Sequence, residues 1–156
     1  MVGLKLAPGP QAFRLTDSGA SAVFEEAQSL DIPVFICAST STHSTPSSAA
    51  LVAENFPRLK LVLTHAGSAN YWSDAVRAAK RCDNITLLSC GNPLAGMRRM
   101  VKELGTERVI FGSDFPCAYP YAINYELAKV DSLDISQAER KRILCENIAE
   151  LINLEE

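Results

Sequence analysis

The sequence predicts an α/β fold of about five parallel strand–helix units, and three observations lead there. Short apolar runs alternate with longer amphipathic stretches along the 156 residues, which is the rhythm of βα units. Several short runs, among them Val34-Phe35-Ile36-Cys37 and Leu61-Val62-Leu63, are continuously apolar, as strands covered on both faces are. No linker and no shift in composition divides the chain, so one domain over residues 1–156 is expected at this length.

The elements follow in order. Residues 2–6 read as a strand, and Asp17-Ser18 precede a helix over 20–30 that Asp31-Ile32-Pro33 breaks. A second strand covers 34–37, and a Ser/Thr-rich loop runs over 39–48. Pro46 and Ser47 open the next helix, because a proline lacks only an amide that the first turn leaves unbonded anyway. A third strand spans 59–65, a helix 69–81, a fourth strand 84–89 and a helix 93–104. Gly105 stops that helix, since glycine takes the left-handed conformation of a helix end freely. The fifth strand is 108–112, and helices over 121–133 and 136–153 complete the chain. Ser136-Gln137-Ala138-Glu139 has the form of a capping box.

Composition narrows the function. With 47% hydrophobic and 21% charged residues the chain is of ordinary globular type. A net charge of −3 leaves no basic footprint for nucleic acid; Arg98-Arg99 and Arg140-Lys141-Arg142 fall in helical patterns and read as solvated faces. No apolar stretch approaches the ~18 residues of a membrane span, and the opening residues do not form a secretory signal. The cysteines Cys37, Cys82, Cys90, Cys117 and Cys145 are odd in number and lack a CxxC pair, so neither a disulfide framework nor a zinc ribbon fits; a reducing cytoplasm is the expected location. Asn84-Ile85-Thr86 matches a glycosylation sequon but sits in a strand-like run. Gly91-Asn92-Pro93 reads as a turn and helix start, not as a phosphate loop, since it lacks the closing Gly-Lys-Ser/Thr.

In a parallel sheet every strand delivers its last residues to one edge, where sites form. Here the strands end on Ala7-Pro8-Gly9, Cys37-Ala38-Ser39, Thr64-His65-Ala66-Gly67, Ser89-Cys90-Gly91 and Ser113-Asp114-Phe115-Pro116. Strand alternation puts Leu61, Leu63 and His65 on one face, and Ile110, Gly112 and Asp114 on one face, with the small Gly112 leaving room beneath Asp114. Alone, His65 reads equally as a hydrogen-bonded strand-end residue, and Asp114 as a helix cap or Asx turn. Together, at equivalent ends of two strands, they read as catalytic residues. Lys5 points to the same side and meets either a substrate carboxylate or a core acid. Trp72 and Ser89 are the further candidates for substrate contact. His43 falls in the Ser/Thr loop.

Val62-Leu63-Thr64-His65-Ala66-Gly67 and Ile110-Phe111-Gly112-Ser113-Asp114-Phe115-Pro116 resemble the amidohydrolase-related metal-dependent hydrolases, the branch that also holds decarboxylases of the aminocarboxymuconate-semialdehyde type. Gly3-Leu4-Lys5-Leu6, Ile32-Pro33-Val34-Phe35-Ile36 and the ending around Arg142-Ile143-Leu144 and Glu146-Asn147-Ile148-Ala149 fit the same pattern. The resemblance implies a (β/α)8 barrel of ~250 residues, of which five units at about 30 residues each are the last five of eight: a partial TIM-type barrel. It implies a divalent metal, zinc by expectation, bound by a His-x-His pair on the first strand, a His ending the fifth and an Asp ending the eighth. By position Asp114 is that aspartate and His65 the sixth-strand histidine; the fifth-strand position is Cys37, which offers either a thiolate ligand or a small buried apolar side chain. The metal candidates are therefore Asp114, His65 and Cys37, and the His-x-His pair is not in this chain.

The implied function is metal-dependent hydrolysis of a small amide, lactone or ester. Decarboxylation of a small carboxylated compound is the alternative, and a non-catalytic barrel fragment acting as a self-associating module is a second one. Asp114 would bind metal or take a proton from water; His65 would serve as acid/base or hold a developing oxyanion. Five strands leave two edges and an apolar interior uncovered, so a homo-oligomer or a complementing N-terminal segment is expected. A five-stranded flavodoxin-like domain is the structural rival, and strand order separates the two.

Overall fold

The computed structural model describes residues 1–39, 41–117 and 122–154. Among these, β1 (Leu4–Leu6), β2 (Val34–Cys37), β3 (Leu61–Thr64), β4 (Ile85–Ser89) and β5 (Val109–Phe111) form one sheet in the order β1-β2-β3-β4-β5, each pair parallel. Sequential order is that of a barrel arc, whereas a doubly wound sheet reverses at a switch point. The fold is therefore a partial (β/α) barrel, and the flavodoxin-like rival is excluded.

The helices are α1 (Ser18–Ser29), α2 (Pro46–Asn55), α3 (Ser68–Arg81), α4 (Leu94–Leu104), α5 (Ala122–Asp131), α6 (Gln137–Lys141) and α7 (Asn147–Leu151), the last two joined by a π-helical turn over Arg142–Glu146. The start of α2 is capped by Thr45 Oγ1, which accepts from Ser48 N at 3.2 Å, with Pro46 in the first turn. At α6 Ser136 Oγ accepts from Glu139 N and the Glu139 carboxylate accepts from Ser136 N, the reciprocal pair that the sequence predicts. Gly105, at φ 82°, ends α4. Tyr121, the expected start of α5, lies outside the described residues. β1 begins at Leu4, two residues later than expected, where pairing with Val34 begins; Met1 and Val2 are exposed.

One face of the sheet packs under the helices. The in-register row Leu6, Ile36, Leu63, Leu87 and Val109 is buried against Phe24 of α1, the alanines of α2 and α3, and Met97 and Met100 of α4. Alanines at Ala49, Ala53, Ala75 and Ala79 let these helices approach the sheet closely. The other face carries Lys5, Phe35, Cys37, Val62, Thr64, Thr86, Leu88 and Ile110, by the same register.

The end of the sheet where the strands begin is clipped by polar side chains. Asn84 Nδ2 donates to Ala53 O, Phe56 O and Leu59 O at 2.9–3.2 Å, which accounts for the sequon residue as a structural one. Arg108 donates to Ala79 O, Cys82 O and Ile85 O, and Asn147 Nδ2 to Thr106 O and Val109 O. These bonds satisfy loop carbonyls that burial would otherwise strand. Among the described residues no helix is long and apolar enough to cross a membrane.

Candidate active site

At the opposite end, Lys5, Cys37, His65, Cys90 and Asp114 arrive from all five strands. Lys5 Nζ donates to Thr64 Oγ1 at 2.6 Å, and that hydroxyl donates to Ile36 O at 3.0 Å. Burial holds Lys5 below the ordinary lysine value, and Cys37, Cys90 and Asp114 nearby oppose that shift. His65 lies at the centre. Its Nδ1 is 3.2 Å from Cys90 Sγ. Its Nε2 is 3.8 Å from Asp114 Oδ1, an ion-pair separation too long for a hydrogen bond.

Hydrogen bonding to Cys37, and then to Cys90, outweighs burial and pushes the His65 pKa up to about 10. The same His65 contact, opposed by burial, draws the Cys37 thiol below its ordinary range. The two shifts describe one interaction, in which imidazolium and thiolate stabilise each other. The His65 side chain is 18% exposed and that of Asp114 40%, so the carboxylate faces solvent and the ring sits beneath it.

Backbone conformation brings His65 here. β3 ends at Thr64, and His65, Ala66, Gly67 and Ser68 follow at φ 65°, 38°, 80° and 49°. Non-glycine residues in this region are uncommon and concentrate at functional positions. The alternation that paired His65 with Leu61 and Leu63 therefore stops one residue early. Leu61 and Leu63 face the helices, while the left-handed turn carries the imidazole to Cys37, Cys90 and Asp114. Asp114 also has positive φ, 58°.

Of the other sequence candidates, Lys5 and Cys37 join the cluster and two do not. Ser89 is fully buried, and its Oγ donates to Ile110 O at 3.3 Å; it serves the sheet and has no exposed atom for a substrate. Trp72 packs over Gly96 of α4, with the Arg99 guanidinium 5.8 Å from its ring, so it belongs to the α3–α4 contact. The room expected beneath Asp114 is taken up as well, because a side chain at Gly112 would run into Leu88. His43 lies with Ser41 in the β2–α2 loop. Cys90 went unassigned in the sequence although it directly follows a strand, the position that singled out His65.

Among the described residues no three His, Cys, Asp or Glu side chains converge as a cation site. His65 Nδ1 is engaged by Cys90. Asp114, His65 and Cys37, the metal candidates of the sequence, do not form such a group among the described residues, and the chemistry of the site is therefore argued from its acid–base groups alone.

Over residues 1–154 the chain matches the family described as amidohydrolase. Similar solved structures include an uncharacterized TIM-barrel protein from Bordetella bronchiseptica, at TM-score 0.76 and 18% identity over 90% of this chain and 52% of that one. Another is 5-carboxyvanillate decarboxylase from Sphingomonas paucimobilis, at TM-score 0.74 and 15% identity over 99% of this chain and 59% of that one. A third is a dihydroxybenzoic acid decarboxylase from a Polaromonas species with bound manganese and the inhibitor 2-nitroresorcinol, at TM-score 0.65 and 17% identity over 90% and 55%. Identities this low show a shared fold. The chain spans little more than half the length of these structures. No curated protein matches it.

Proposed function

Because the chain belongs to the amidohydrolase family, matched over residues 1–154, we propose that it carries the acid–base residues of a barrel enzyme that decarboxylates a small carboxylated compound. One observation carries this reading: His65 Nε2 stands 3.8 Å from Asp114 Oδ1 at the strand-end edge that also holds the cation of Lys5. A substrate carboxylate fits Lys5, a compact point charge on a flexible stem. His65, held protonated by its thiol partners, gives a proton to the carbon bearing that carboxylate. The C–C bond then breaks, its electron pair returns to the substrate, and carbon dioxide leaves. Asp114 steadies the imidazolium and returns a solvent proton to it.

Hydrolysis of a small amide, lactone or ester is the second reading, favoured by the family description itself; there the His65–Asp114 pair would move the protons of an attacking water. The test is a panel of hydroxybenzoates and carboxylated dienoates against one of lactones, esters and amides, with His65→Asn and Asp114→Asn as controls. Carbon dioxide released by the wild type and not by either variant supports decarboxylation. Ring opening or ester cleavage without carbon dioxide supports hydrolysis. Turnover that survives both variants overturns the assignment of these residues. We further propose that a second copy covers the free β1 edge, beside which Leu4, Val23, Ala27, Leu30 and Ile32 line an apolar groove. Gel filtration at the mass of a monomer, 16.9 kDa, overturns that assembly.

A further inference from the structure

We propose that Asn92 is the positioning residue for His65 and that a buried ion pair on α5 holds Asn92 in turn; this deepens the reading of the site given above and rests on it for the role of His65. Once β3 ends, the carbonyls of the left-handed turn have no strand partner. Asn92, 2% exposed, supplies one. Its Nδ2 donates to His65 O at 2.9 Å, Ala66 O at 3.1 Å and Ser68 O at 3.1 Å. An amide has two N–H protons, so three carbonyls share them, and the turn is gathered around one nitrogen. Gly67 N adds a bond to Ala38 O at 2.7 Å.

Asn92 is fixed from behind. Lys129 Nζ donates to its carbonyl at 2.8 Å, and Glu126 Oε1 accepts from Gly91 N at 3.0 Å. Glu126 and Lys129 pair at 2.6 Å with side chains 5% and 3% exposed. Charges this deep are costly unless paired and hydrogen-bonded, and here each charge also grips the backbone of the segment that carries Asn92. A chain of contacts thus runs from α5 through residues 91–92 to the backbone of His65, and by it the imidazole is aimed at Asp114 and the thiols.

A purely structural clip has the same chemistry, and the molecule contains one for comparison. Asn84 also donates to three carbonyls from one Nδ2, but where the strands begin. Asn92 Oδ1 has no hydrogen-bond partner among the described residues, so leucine, which keeps the branch and adds no charge, removes only the donor. The chain has two histidines, and the His65 Cε1–H proton resonance is assigned by its loss in His65→Asn. In Asn92→Leu this resonance is expected to move by several linewidths; in Asn84→Leu it stays in place while the denaturation midpoint falls. Glu126→Gln, a milder change, is expected to move it in the same direction by less, and decides the matter if Asn92→Leu does not fold. An unmoved resonance in folded Asn92→Leu, an unmoved one in Glu126→Gln where that variant decides, or an equal shift in Asn84→Leu, overturns the proposal. None of these readings uses substrate turnover, so failure here is distinct from failure of the proposed reaction.

Discussion

Gly67 closes the turn that presents His65, and replacing it with alanine is a severe test of that turn. At φ 80° an L side chain pays about 1–2 kcal/mol. The added Cβ would also lie 2.7 Å from Trp72 N, 3.1 Å from Trp72 Cα and 3.1 Å from Tyr71 Cβ. Two of these are backbone atoms in the first turns of α3 and cannot swing aside. Either the helix or the turn must move, an overpacking cost of ~1–3 kcal/mol. The total is about 2–5 kcal/mol, or roughly 2–4 °C of Tm per kcal/mol for a chain of this length. Gly19 in α1 is the control, because an added Cβ there meets nothing within 4 Å and helix propensity favours alanine by about 0.5–1 kcal/mol. Urea unfolding of both variants with unchanged m-values gives the comparison. A Gly67→Ala loss below about 1 kcal/mol, the centre of the range for ordinary point mutants, would refute the reasoning, as would an equal loss in Gly19→Ala.

The buried pair on α5 and the site thiol offer two further tests. Lys129→Met strands the Glu126 carboxylate and should cost about 3–5 kcal/mol, while adding Glu126→Gln should recover much of it, since breaking a buried pair costs more than replacing both members; urea titration of the double-mutant cycle reads this, and additive losses would count against it. For Cys37 the sign follows from the thiolate: His65 draws its pKa down, so the reactive form persists as pH falls below the ordinary thiol value of about 8.5. Iodoacetamide labelling followed by peptide mapping should find Cys37 modified below that pH in the wild type and only at higher pH in His65→Ala. The same onset in both proteins would sink the pairing.

How much of this is legible in the sequence depends on whether a feature is local. The strands and helices are, because apolar runs, Pro46, Gly105 and the Ser136 box carry their own signals, and observed boundaries fall within two residues or so of the expected ones. Sequential strand order is not local; it needed the structure to set it apart from a doubly wound sheet. His65, Asp114 and Lys5 are legible as candidates from their places near strand ends, and the structure gathers them at one edge of the sheet. Ser89 and Trp72 lie outside that cluster, and position alone does not tell a side chain that bonds its own sheet, or packs on the next helix, from one that faces the cluster. The alternation rule failed at His65 because it holds only while φ remains extended, and nothing short-range in Thr64-His65-Ala66-Gly67 except Gly67 announces a left-handed turn. Asn92 read as a mere turn residue, since its three carbonyl partners lie 24 to 27 positions earlier.

The consecutive strand order has a consequence for how the chain folds and loosens. Each strand bonds only to its neighbours in sequence, so pairings close loops of one helix each, and no distant segment must be found before the sheet can grow. Growth can begin at any unit and spread outwards, as in repeat proteins. The middle strand, β3, is buried at every position, whereas β1 is fully buried only at Leu6. Amide exchange should therefore be graded, slowest in β3 and faster towards β1. The His65 turn extends directly from that slowest strand, which places the centre of the proposed chemistry on the part of the sheet that opens last.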